Sequence, residues 1–139
     1  MSNCIDIADS VAYELNKAEL GITAVRACVP KYDLRKDDEL KVQVVPVAID
    51  YTIATRADTH GDYQINIGFL KKLENIESEV EDMYDLIESA AKHLRTTGLS
   101  QMPTVKFINA STPAVYDPDL LEQKKVFLSV LTVTYKGII

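Results

Sequence analysis

Tryptophan is absent from this 139-residue chain, phenylalanine occurs three times and cysteine twice. Two thiols cannot build a disulfide framework, and neither Cys4 nor Cys28 has a CxxC neighbour, so both are expected to be free or buried in a reducing compartment. Basic residues are also scarce: 15 Lys and Arg face 21 Asp and Glu, for a net charge of −6. That balance argues against nucleic-acid binding, because phosphate contacts need clustered cations. No basic run is longer than two residues, as at Lys124-Lys125 and Lys71-Lys72. The five glycines are scattered at 21, 61, 68, 98 and 137. They form no phosphate-cradling loop, and no serine stands in a nucleophile elbow. No apolar stretch approaches the ~20 residues that spanning a bilayer requires. The first predicted helix carries Asp6 and Asp9 and has no basic segment before it. It therefore does not read as a signal peptide, and a cytoplasmic product is expected.

The length fits one domain over 1–139 with no linker, repeat or low-complexity segment. The run from Val126 to Lys136 is β-branched and aromatic almost throughout, which predicts a central strand with neighbours on both sides. Residues 3–18 read as a helix. Ile7, Val11 and Leu15 make one apolar stripe, and Asp6 sits in the first turn, where the helix dipole favours acid. Thr23–Pro30, Leu40–Pro46 and Val47–Thr55 read as strands. Pro46 cannot donate to a ladder and marks an edge, a bulge or a strand end. Tyr63, Ile65, Ile67 and Phe69 alternate with Asp62, Gln64, Asn66 and Gly68, the pattern of a half-buried strand. Ile76–Leu94 is a second amphipathic helix with an acidic outer face, and Gly98 is its expected stop. Thr104–Ile108 is a short strand, and Asp119–Gln123 a single helical turn.

This predicts an α+β fold of order α-β-β-β-β-α-β-β: a two-layer, mostly antiparallel sheet with both amphipathic helices packed on one face. The second sheet face, or an edge, is then left for a partner.

Carboxylates and an imidazole gather in one place, Asp58-Thr59-His60-Gly61-Asp62. On an extended strand Asp58, His60 and Asp62 project to one side, which is a possible metal set. The plainer reading is a hairpin turn over 55–62, because Asp, Thr and Gly tolerate turn geometry and solvent. His93, beside Lys92 and Arg95, reads as a solvated helix end whose charge complements the dipole. Tyr116, between Pro113 and Pro118, reads as an aromatic cover on the core edge or an anchor in a binding loop. No catalytic group, cofactor site or metal site is expected from these residues.

Four stretches resemble the phage tail-terminator (tail-completion) family of long-tailed bacteriophages. They are Ile5–Asn16; Thr23–Pro30 with Tyr32-Asp33-Leu34; Asp62–Gly68 with Lys71-Lys72; and Pro113–Asp117 with Val126–Tyr135. They are patterns of packing residues and cover most of the chain. The resemblance implies a structural virion protein without enzymatic activity or cofactor. It implies a ring, usually hexameric, that caps the tail tube, ends tail growth and presents a surface to the head-neck connector. Its partners would be other copies of itself, the tube protein and the connector protein, with DNA passing through the ring without specific binding. It would reside at the tail-neck junction of the virion, and in the host cytoplasm during assembly. The contact residues it suggests are Arg56, Asp58, Thr59 and His60 at the hairpin tip. The alternatives are a head-completion or connector protein and, from another class, a small metal-dependent enzyme using Asp58, His60 and Asp62.

Overall fold

A computed structural model describes residues 3–18, 22–27, 40–53, 59–72, 76–99, 102, 105–112 and 126–138. Two helices and five strands follow in the order α1 (Asn3–Lys17), β1 (Ala24–Arg26), β2 (Lys41–Ile53), β3 (Thr59–Lys72), α2 (Ile76–Thr97), β4 (Lys106–Ser111) and β5 (Val126–Ile138). The fold is α+β, as the sequence pattern predicts. The sheet order is β1-β2-β3-β5-β4. Only the β1/β2 pair is parallel; the other pairs are antiparallel. The C-terminal apolar run forms β5, which lies between β3 and β4 as its composition requires.

One correction concerns strand number. The stretches 40–46 and 47–55, expected as two strands, run together as the single strand β2 as far as Ile53, so the order among the described residues is α-β-β-β-α-β-β. Pro46 marks a bulge in it: the register with β3 shifts between Pro46 and Ala48. The Val44 carbonyl turns toward β1, accepting from the Ala27 amide at 2.9 Å. Pro46, two residues on, turns its nitrogen the same way, beyond the end of β1 at Arg26. No ladder donor is lost there, so the strand continues. The extra residue restores Ile49 to the side of Tyr63 and leaves Val47 47 % exposed.

Val42 and Val44 of β2 stand opposite Phe69 and Ile67 of β3. Ile67, Ile65 and Tyr63 in turn stand opposite Leu131, Val133 and Tyr135 of β5. All these side chains share one face and are buried in one cluster with Ile7, Val11 and Leu15 of α1 and Met83, Ile87, Ala90 and Leu94 of α2. The helical stripes and the period-two strand faces thus meet in a single core, as two-layer packing requires. The second sheet face carries Gln43, Gln64, Asn66, Thr132 and Thr134, all half-buried. There the Thr132 hydroxyl donates to Asn66 Oδ1 at 2.8 Å.

α2 continues one turn beyond the expected Leu94. Gly98 ends it with φ of 66°, and its amide bonds the Leu94 carbonyl at 3.1 Å, a left-handed cap that glycine adopts without strain.

A side-chain amide fastens β1 to α1. Asn16 Nδ2 donates to the Ala24 carbonyl at 3.0 Å, and the Ala24 amide donates to Asn16 Oδ1 at 2.7 Å. The Asn16 amide thus occupies the outward backbone positions that another strand would fill. Ala24 is only 5 % exposed, so Asn16→Ala strands a buried N–H and C=O. We expect a loss of about 2 kcal/mol in unfolding free energy, within the range for orphaned backbone groups. Urea denaturation measures it, and a loss below about 0.5 kcal/mol would show the clamp to be unimportant.

Candidate interaction surface

The hairpin-tip residues suggested by the sequence are only partly placed. Arg56 and Asp58 lie outside the described residues. Thr59 and His60 are the first residues of β3, in backbone register with Ile53 and Thr52 of β2. His60 also stands opposite Ile138 of β5. Residues 59–62, expected in the turn, are therefore strand, because β2 pairs with them up to Ile53. Of the possible metal set, Asp62 is half-buried within β3. Among the described residues no three His, Cys, Asp or Glu side chains gather to hold a metal ion. Tyr116 and its flanking prolines, the 119–123 segment and Cys28 lie outside the described residues. Cys4 is a free, buried thiol, and burial pushes its pKa up.

His93 is not the solvated helix end that its basic neighbours suggest. Its side chain is 24 % exposed, and Nε2 lies 3.8 Å from Glu14 Oε2, itself on a side chain only 4 % exposed. That separation suits an ion pair but is too long for a hydrogen bond, and Nε2 has no hydrogen-bond partner among the described residues. Glu14 also bears on Tyr135 of β5, where burial and then the Glu14 charge raise the phenol pKa. The Tyr135 hydroxyl is buried without a partner among the described residues, as is that of Ser129. This polar cluster joins α1, α2 and β5. The signal for Glu14 was present in the sequence: seven residues after Ile7, it falls on the apolar stripe of α1. Neither groove described below is lined by this cluster, so it has no route to a substrate through them.

Among the described residues, three of the four large exposed apolar side chains, Tyr13, Val25 and Ile108, lie at or beside the two end strands of the sheet. At one end, α1 turns Asp9 and Asn16 toward β1. Asp9 Oδ1 accepts from Arg26 Nε at 2.9 Å, and Asn16 clamps Ala24. Tyr13 lies on the same helical stripe, four residues from Asp9 and three from Asn16. It is 44 % exposed, and Val25 of β1 is 57 % exposed. At the other end, β4 is the last strand in the described sheet. Between it and α2 runs a groove of ≈ 520 Å³ lined by Glu88, Ala91, Lys92 and Arg95 from one stripe of α2 and by Phe107–Ala110 of β4. A smaller cleft of ≈ 280 Å³ adjoins it through Glu88 and reaches Tyr84 and Thr112. The β4 register shifts between Phe107 and Asn109, which leaves Ile108 as the extra residue, 47 % exposed.

Bulges are a usual way to keep sheet edges from unwanted pairing. Here β2 and β4 each have one, and the extra residues Val47 and Ile108 are both exposed. No helix among the described residues is long and apolar enough to cross a membrane. No protein-family model matches the chain, and a search of curated proteins finds no match.

Proposed function

We propose that this chain is a structural virion protein that caps a phage tail tube as an oligomeric ring, ending tail growth and joining tail to neck. The observation that carries the reading is the unlikeness of the two sheet ends. A ring of identical subunits closes through heterologous contacts, which need two different complementary patches on each copy. One end here offers exposed side chains on an edge strand clamped by Asn16. The other offers a cleft beside β4, whose outer edge pairs with no strand among the described residues. The likeness of four packing stretches to tail-terminator proteins supplies the biological setting. The acidic balance of the chain suits a passage through which DNA moves without adhering, since like charges repel.

Electron microscopy of particles made without this chain tests the reading. Tails of uncontrolled length, or tails without heads, are the expected result. Normal tails with capsids that leak DNA would reject tail capping and move the chain to the head side of the neck.

A further inference from the structure

The groove between α2 and β4 has an apolar floor and a charged rim. Phe107, Ile108 and Ala110 of β4 and Ala91 of α2 make the floor. The Phe107 ring is held edge to face on Tyr135, with centroids 5.7 Å apart, and the small side chains of Ala91 and Ala110 leave the space beside it. On the rim, Lys92 and Arg95 stand toward the end of α2 and Glu88 one turn before Lys92, all exposed. Two further exposed cations lie at the start of β4: Lys106, and Lys136 directly opposite it on β5. Like charges facing across a strand pair cost stability. None of these four cations has an ion pair among the described residues. Asp62 stands on the other side of Lys136 in register but is half-buried. The start of β4 is therefore a positive place in a chain of net charge −6.

The geometry points to a docking site for an acidic segment of a different protein, with one large apolar side chain as anchor. The anchor fills the space between Ala91, Ala110 and the Phe107 ring. Acidic residues on one side of it meet Lys92 and Arg95, and the rest of the segment runs past Glu88 and carries no acid there. Charge thus fixes the direction in which the segment lies, as well as attracting it. The β4 bulge at Ile108 breaks the regular strand edge, so side chains do the recognising and no strand is added. A second copy of this chain fits less well. Its exposed Tyr13 has Lys17 over the ring, with Nζ 5.9 Å from the centroid, and its exposed Val25 adjoins Arg26, whose guanidinium already holds Asp9. Both would bring cations to a cationic rim. This goes beyond the ring reading and does not depend on it, because the outer edge of β4 stays available to a neighbouring copy.

Fluorescence anisotropy on the full chain at low salt tests this. The probe is a short fluorescein-labelled peptide with one tryptophan followed by three glutamates. Saturable binding is expected. It should weaken at least about ten-fold when lysines replace the glutamates, and as much in the chain variant carrying Lys92→Gln with Arg95→Gln. Replacing the tryptophan by alanine should cost at least about ten-fold, and Ile108→Ser in the chain about five-fold. All three substituted positions are exposed, so the fold is expected to persist, and circular dichroism checks it. Absence of saturable binding overturns the proposal, as does equal affinity for the Lys92→Gln, Arg95→Gln variant. Equal binding of the alanine peptide overturns it too, because charge alone would then hold the probe and the groove would be idle. Light scattering in which the peptide dissociates oligomers of this chain would assign the groove to a second copy and reject a separate partner. The morphology of particles lacking the chain bears on the ring reading alone, so the two readings fail separately.

Discussion

Replacing Phe127 by alanine lowers the unfolding free energy by about 3–5 kcal/mol. Phe127 is fully buried near the start of β5 and stands opposite Lys71 of β3. Its ring meets Tyr84 of α2 edge to face, with centroids 6.4 Å apart and planes at 64°. Truncation therefore removes the transfer free energy of the ring, opens a cavity between sheet and helix, and ends an aromatic contact that contributes about 0.5–1.5 kcal/mol. Domains of this size are stable by about 5–15 kcal/mol in total, so the variant loses a large fraction of its stability. Urea denaturation with an unchanged slope is the measurement. A loss below about 1 kcal/mol would contradict the burial of this ring.

Above about pH 10, the ordinary tyrosine range, the wild-type chain loses stability faster than Tyr135→Phe. Tyr135 is fully buried, and burial first, then the Glu14 charge, raise its folded-state pKa above the ordinary value. The unfolded chain releases this proton at its normal pKa, while the folded chain retains it. The unfolded state thus binds fewer protons than the folded state, and stability falls as pH rises. The contribution is fully present below the unfolded pKa. It is lost between that value and the raised folded one, at about 1.4 kcal/mol per pH unit. By pH 12, about two pH units above the unfolded value, wild type has lost on the order of 2 kcal/mol more than Tyr135→Phe. At neutral pH the same substitution removes a buried hydroxyl that has no partner among the described residues. It is expected to be neutral or stabilising there. Denaturant titrations of both proteins at pH 8 and pH 12 check the two statements together. Parallel behaviour of the two proteins across that interval would show that the phenol ionises in the folded state as freely as in water.

Legibility followed period and length. The alternation at Tyr63, Ile65, Ile67 and Phe69 marks a strand with one buried face, and the structure buries all four. The stripe of Met83, Ile87, Ala90 and Leu94 marks α2 in the same way. The bulge at Pro46 was one of three possibilities for that residue. Choosing among them depends on where β1 ends, and no local pattern contains that. His93 looked solvated because its sequence neighbours are basic. Its partner Glu14 is on another helix, and only packing brings the two together.

The hairpin-tip contact residues illustrate a different limit. Their choice rested on position in a turn, and the pairing of β2 with Thr59 and His60 moves half of that turn into strand. The α2–β4 groove was not legible at all. Its walls come from 88–95 and 107–110, and neither segment carries a motif.

By itself the sequence determined the two helices, the apolar runs that form strands, and which side of each turns inward. Those properties depend on side-chain periodicity and composition, which act over a few residues. Strand order, the bulges in β2 and β4, the clamp of Asn16 on β1 and the Glu14–His93–Tyr135 cluster were decided only by the tertiary structure. Each depends on contacts between groups far apart along the chain, and their free energy appears only when the whole core closes.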